Sequence, residues 1–370
     1  MSKTLSKVLL LIGALGMSVL ALEWALGVAA RRDLIRVDLN PMTGFWSDRN
    51  PDFGVWHASN AKFDHVRPCF SVQYESNSYG AIDVERTPRS EHKRIVVLGD
   101  SMMEGYTLHR EERVSNLLES ATGLEFMNFA TSQTFSPIQY LLAYETLARR
   151  FDHDAVLIGL LPENDFTDSN WKLGRNIFYN RYRPYFVRSG DSYELVYFSK
   201  SFLNRDATSA DAPNDLFDAF LNRTNTGRTI RTAYAMIRYK RAITSAEQAF
   251  SKVRSWYYDY SEGDWRLLEF TLKRLVKSAG GRPVVVATIP MERDLIARRT
   301  LGPPPLPARF EKFAQAAGIV YIDLLEPFAA AYDQGKLLYH SCDHHWTAEA
   351  NRLAAGLLQP KMAAALARTK

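Results

Sequence analysis

Short apolar runs rich in β-branched residues alternate with stretches of helical periodicity along most of this chain, and that alternation restricts the folds open to it. RIVVL (94–98), LEFMNF (124–129), AVLIGLL (155–161), PVVVATI (283–289) and IVYIDL (319–324) are too short to be typical helices and mostly too apolar to be half-exposed strands. They read as strands buried on both faces. Residues 111–122, 138–151, 262–279, 307–318 and 347–368 carry apolar side chains at helical spacing between and after them. Strands and helices in this order predict a three-layer α/β/α domain around a five-stranded parallel sheet.

Two regions break the rhythm. Residues 33–92 hold turn-rich stretches such as DLNPMTG, SDRNPDFG and SNSYG and no long periodic run, so they read as a lead-in that packs on the main domain, residues 93–370. Residues 168–260 are rich in Arg and Tyr, as in NIFYNRYRPYFVR (176–188) and GRTIRTAYAMIRYKR (227–241), and read as an insertion. At 370 residues and 46% hydrophobic the chain has enough apolar side chain for one enlarged α/β domain;. Its 46 basic and 41 acidic residues leave a formal charge of +5 with no long basic run, so no nucleic-acid partner is expected.

The N-terminus adds a membrane question. VLLLIGALGMSVLAL (8–22) follows Lys3 and Lys7, and after Glu23 the apolar run resumes until Arg31 and Arg32. From Val8 to Ala30 it counts 23 residues, enough to cross a bilayer as a helix. Residues 1–32 therefore read as a membrane anchor, with a cleaved signal peptide as the alternative. The flanking charges are basic on both sides, but an anchor with its N-terminus in the cytoplasm and a cleaved signal both put residues 33–370 outside the cytoplasm, on the periplasmic side in a Gram-negative cell. There Cys69 and Cys342, the only cysteines, are expected to form a disulfide.

In open parallel sheets, sites form at the carboxyl ends of strands. Three polar clusters fall there: Gly99-Asp100-Ser101-Met102-Met103-Glu104-Gly105 after the first strand, Pro162-Glu163-Asn164-Asp165 after the third, and His340-Ser341-Cys342-Asp343-His344-His345-Trp346 beyond the fifth. The last holds three of the chain's eight histidines. Together they offer a hydroxyl nucleophile, a base, an acid to orient it and an amide donor. Taken singly, Ser101 could be a helix N-cap and Asn164 a turn former. The histidine-rich run could instead contribute metal ligands.

These clusters resemble the three blocks of the SGNH (GDSL-like) hydrolases. Gly99-Asp100-Ser101 with Glu104-Gly105 matches the first block and Asn164-Asp165 the one ending in Asn-Asp. Asp343 and His345, with Trp346 and Asn351 downstream, match the last. The likeness spans roughly residues 91–170 and 262–366. It implies the flavodoxin-like α/β/α fold and ester hydrolysis without a cofactor or metal. By that resemblance Ser101 is the nucleophile, His345 the general base and Asp343 its orienting acid. The oxyanion donors are the Ser101 N–H and the Asn164 amide.

The sequence departs from the family twice. The family's second block supplies a glycine N–H to the oxyanion hole, but Asn128-Phe129-Ala130-Thr131-Ser132-Gln133-Thr134-Phe135 holds no glycine. Gln133 is assigned to that place, where it must hold a backbone conformation that glycine adopts more easily. One residue rather than two separates Asp343 from His345, leaving His344 as the alternative base. Asp343-His344-His345-Trp346 resembles an Asp-x-His-Trp variant of polysaccharide-modifying members. The expected substrate is therefore an acylated carbohydrate or small ester, with O-acetyl groups of an envelope or exported polysaccharide foremost. An O-acetyltransferase and a non-catalytic glycan-binding protein are the other readings.

Overall fold

A computed structural model describes residues 3–32, 34–35, 45–67, 69–132, 135–172, 182–198, 220, 224–230, 232–234, 255–341 and 343–367. The five apolar runs form β5 (Arg94–Leu98), β6 (Glu125–Asn128), β7 (Ala155–Leu160), β10 (Val284–Thr288) and β11 (Ile319–Asp323). They make one sheet in the order β11-β10-β7-β5-β6, every pair parallel. All residues of β5, β7 and β10 are buried. Uniform burial explains why these strands read as continuous apolar runs instead of alternating ones.

Helices complete the three-layer α/β/α architecture expected from the sequence. α3 (Val114–Thr122) packs on the C-terminal α10 (Ala348–Ala367), while α4 (Pro137–Thr146), α5 (Pro162–Ser169), α6 (Glu262–Ala279) and α8 (Pro305–Ala317) form a second contacting group. α7 (Glu292–Leu301) and α9 (Leu325–Asp333) pair with one another. The segment read as an amphipathic helix over 138–151 is instead buried all round from Pro137 to Tyr144. The hairpin of β8 (Arg183–Ser189) and β9 (Ser192–Phe198) helps explain this, since β8 and α6 both pack against α4.

The lead-in is more ordered than its turns suggest. β1 (Trp46–Asn50) pairs antiparallel with β2 (Gly54–His57), and β3 (Lys62–Arg67) with β4 (Phe70–Glu75). Along β4, Phe70, Val72 and Tyr74 are buried while Ser71 and Gln73 are exposed, the period-two signature of a strand with one covered face. Its inward rings join an aromatic cluster: Trp46 meets Tyr74 edge-on at 5.3 Å, and His65 meets Tyr106 at 4.9 Å. At the other end of the chain's order, α1 (Lys3–Arg31) is long and apolar enough to cross a membrane. Leu10, Leu11, Leu15 and Leu20 on it are each at least two-thirds exposed.

Candidate active site

Strand order decides where a site can form. The chain runs from β5 to β6 on one side and then to β7 on the other, so the crevice at the carboxyl ends of β5 and β7 is the topological switch point;. The first polar cluster leaves β5 there and the second leaves β7.

After β5 the backbone turns sharply into α2 (Ser101–Glu104). Asp100 caps this short helix, its side chain accepting from the Met102 N–H at 3.0 Å. The turn fits only because two glycines make room for Met103. A Cβ on Gly99 would lie 2.4 Å from Met103 Cγ, and one on Gly159 of β7 only 2.2 Å from it. Ser101 thus opens the helix, where backbone N–H groups lack intrahelical acceptors.

The third cluster is brought over by a tight excursion before α10. His340 N–H donates to His345 O at 2.9 Å, and Thr347 N–H to Leu338 O at 3.0 Å. Buried Trp346 stacks on Phe328 at 5.1 Å, and its carbonyl accepts from Thr107 Oγ1 at 3.2 Å. Asn351, on α10, accepts from the Val114 N–H at 3.0 Å and so caps α3.

This scaffold places His345 Nε2 2.8 Å from Ser101 Oγ and sets His345 Nδ1 against Asp343 Oδ1. A carboxylate only accepts, so Nδ1 carries the hydrogen and Nε2 is left to accept from the serine hydroxyl. The Tyr106 ring packs against the imidazole, centroid to centroid 4.6 Å and tilted by 41°. Burial pulls the His345 pKa down, but the Asp343 charge and hydrogen bond outweigh it and the net shift is upward. Burial likewise pushes Asp343 up, and His345 with Arg67 holds it below the usual carboxylate range.

His344 goes elsewhere. It adopts a left-handed φ of 61°, and its Nδ1 faces Glu292 Oε2 at 3.7 Å. Asn164 joins the site through its amide: Nδ2 donates to Asp100 Oδ2 at 2.8 Å, leaving its second hydrogen for another acceptor. Burial raises the Asp100 carboxyl to about 6 against that bond.

Gln133 and Cys342 lie outside the described residues, so neither assignment is located. The residues before Gln133 nevertheless narrow the choice of oxyanion donor. Ala130 N–H is taken by Asn128 Oδ1 at 3.0 Å, Thr131 N–H by Gly99 O at 3.3 Å and Ser132 N–H by Glu104 Oε2 at 2.8 Å. Cys69 is disulfide-bonded, not a free thiol. Among the described residues no group of His, Cys, Asp or Glu side chains is arranged to hold a metal ion.

Sequence reading missed the contribution of the lead-in. His65, fully buried beside Tyr106, is pushed down to about 3 by burial and by Arg67 and so stays neutral near Asp343. His57 and Trp46 reach Glu104 at the far end of α2. The alternation of FSVQYE was the one available sign that this region is sheet.

No family model matches the sequence, and no curated protein matches it. Among solved structures the chain is similar to a member of the lipolytic protein G-D-S-L family from Veillonella parvula, at 12% identity over 72% of this chain and 97% of that one, with a TM-score of 0.38. A lipase/acylhydrolase from Enterococcus faecalis gives 12% identity, 75% and 97% coverage and a TM-score of 0.38. A carbohydrate esterase family 2 enzyme with a carbohydrate binding domain, from Corynascus thermopiles, gives 12% identity, 77% and 69% coverage and a TM-score of 0.38.

Proposed function

We propose that this chain is a serine ester hydrolase of the SGNH type, with Ser101, His345 and Asp343 as its triad. One observation carries the reading: a serine hydroxyl at a strand–helix turn lies 2.8 Å from an imidazole whose other nitrogen is bonded to a carboxylate, at the switch point of a parallel sheet.

The chemistry follows from those contacts. Ser101 Oγ attacks the ester carbonyl carbon while its proton passes to His345 Nε2. Asp343 keeps the imidazole in the tautomer that can accept it and stabilises the imidazolium. The carbonyl oxygen, now an oxyanion, is met by the Ser101 N–H, the second Asn164 amide hydrogen and the backbone N–H of Gln133. Collapse breaks the bond to the alkoxy group, which leaves with the proton from His345. Water then repeats the sequence, His345 taking its proton and returning it to Ser101 as the acid departs.

The substrate we favour is an O-acetyl group on an envelope or exported polysaccharide, delivered to an enzyme anchored by α1 outside the cytoplasm. Disulfide-bonded Cys69 supports an oxidising compartment;, with Cys342 as its proposed partner. The Asp-x-His-Trp run and the Arg/Tyr-rich insertion support a glycan; most of that insertion lies outside the described residues.

The test is hydrolysis of an activated acetyl ester by the full chain in detergent, comparing wild type with Ser101→Ala. Loss of turnover in a folded variant supports the triad; equal turnover refutes it. Acetyl transfer to a glycan acceptor in excess of acetate release would move the assignment to an acetyltransferase on the same triad.

A further inference from the structure

Glu104 is fully buried, and both of its carboxyl oxygens have hydrogen-bond partners. Oε1 accepts from Trp46 Nε1 at 2.6 Å and lies 2.7 Å from His57 Nε2, and Oε2 accepts from the Ser132 N–H at 2.8 Å. Two of these partners come from the lead-in hairpin, and the third lies in the turn after β6. His57 is itself fixed, its Nδ1 2.7 Å from Gly80 O and its Nε2 also 2.9 Å from Thr131 Oγ1. The turn is therefore held at two successive residues, by its Thr131 side chain and its Ser132 backbone. Ser101 and Glu104 are the two ends of one four-residue helix, so the same short element carries the nucleophile and the clamp.

We infer that His57 is a positioning residue: with Trp46 it holds the Glu104 carboxylate, and Glu104 sets the backbone of the turn that leads into the oxyanion hole. The inference rests on the esterase reading above and deepens it. Its physical basis is the cost of freeing a buried carboxylate from its partners. Without them the carboxylate must move toward water or take a proton, and either change releases the Ser132 N–H. The segment before the first sheet strand is thus part of the catalytic apparatus at one remove, touching neither substrate nor nucleophile.

The experiment compares His57→Ala, Trp46→Phe and Ser101→Ala in the full chain in detergent, with an activated acetyl ester and a boronic acid that forms a tetrahedral adduct on serine. Trp46→Phe keeps the ring and removes only the indole N–H. The expected result is a kcat lower by about 10–100-fold in His57→Ala, less in Trp46→Phe. KM should stay within about twofold of wild type and boronate affinity fall in proportion to kcat. A merely structural role would lower the melting temperature and leave kcat of the folded protein and boronate affinity unchanged; that result overturns the inference. If His57→Ala does not fold, Trp46→Phe decides: wild-type kcat and boronate affinity overturn the inference, and a joint fall supports it. Ser101→Ala separates the two levels. Should it remain active, the esterase reading fails; should it be inactive while folded His57→Ala keeps the wild-type rate, only the positioning role fails.

Discussion

Asn164 Nδ2 donates to Asp100 Oδ2 at 2.8 Å, so a single bond joins the turn after β7 to the turn that carries Ser101. The bond orients the amide and leaves its second hydrogen for another acceptor, which we propose is the developing oxyanion.

Asn164→Ala removes both contacts. We expect kcat to fall by about 10²–10³, the usual cost of one oxyanion donor, with a smaller change in KM. Asn164→Asp should be worse, because it sets a second carboxylate against Asp100, which burial already raises to about 6. Steady-state kinetics and thermal melting of both variants check this. A kcat within about twofold of wild type in Asn164→Ala would remove Asn164 from the oxyanion hole.

The pH profile follows from the raised pKa of His345. Ser101 is activated only while Nε2 is unprotonated, so kcat/KM should fall as pH drops through the folded pKa. That acid limb should lie above about 6.5, the ordinary histidine value. Asp343→Asn removes the charge that raises the pKa and leaves the burial that lowers it, so the limb should move to lower pH. Its plateau should fall by about 10⁴, as an amide can present its N–H to Nδ1 and favour the wrong tautomer. A limb that stays put or moves to higher pH contradicts the assignment of Asp343.

Packing under the nucleophile gives a prediction independent of chemistry. Gly159 is in β7 with no special φ, yet its missing Cβ is where Met103 Cγ and Sδ sit, 2.2 and 2.5 Å away. Gly159→Ala should cost about 1–3 kcal/mol through overpacking, and Met103→Ala about 2–5 kcal/mol through a cavity. Combined, the methyl partly fills that cavity, so the double variant should be more stable than the sum predicts by about 1 kcal/mol or more. Urea unfolding of the four proteins measures this, and strict additivity would show that Met103 moves away freely.

The parallel sheet was legible because its strands are buried on both faces and leave unmistakable apolar runs; all five fall where the sequence puts them. Ser101, Asn164, Asp343 and His345 stand out as candidates because polar clusters at the carboxyl ends of such strands are where sites form, and the structure places Ser101, His345 and Asp343 in one hydrogen-bonded line. The lead-in was not legible. Its strands are short and joined by conspicuous turns, and β4 alternates while β2 is buried throughout, so the period-two signal is diluted by DLNPMTG and SNSYG. The partners of Glu104 were invisible for a different reason. His57 and Trp46 lie 47 and 58 residues before it, and nothing in local spacing marks a histidine as the neighbour of one particular carboxylate. The Asp-x-His-Trp run favours His345 over His344, and the structure sets His345 Nε2 2.8 Å from Ser101 Oγ while His344 faces Glu292.

Glu23, the acidic residue that interrupts the N-terminal apolar run, yields the last prediction. Its carboxylate accepts from the backbone N–H of Asn225, from the Thr226 N–H at 2.9 Å and from Thr226 Oγ1 at 2.8 Å. A second approach lies one turn along α1, where a Cβ on Gly27 would come within 2.8 Å of Asn225 Nδ2. Together these contacts tie the apolar helix to the insertion. Beside them Trp24 is exposed, as are Ile230 and Tyr234, side chains suited to a membrane interface. Glu23→Ala and Gly27→Leu should each detach the 224–230 segment, the first by removing its acceptor and the second by occupying its seat. Limited trypsin digestion of the full chain in detergent reads this out, with cleavage at Arg228 several-fold faster in either variant while the α/β/α domain stays intact. Digestion at the wild-type rate in both would mean that the insertion does not depend on α1 for its position.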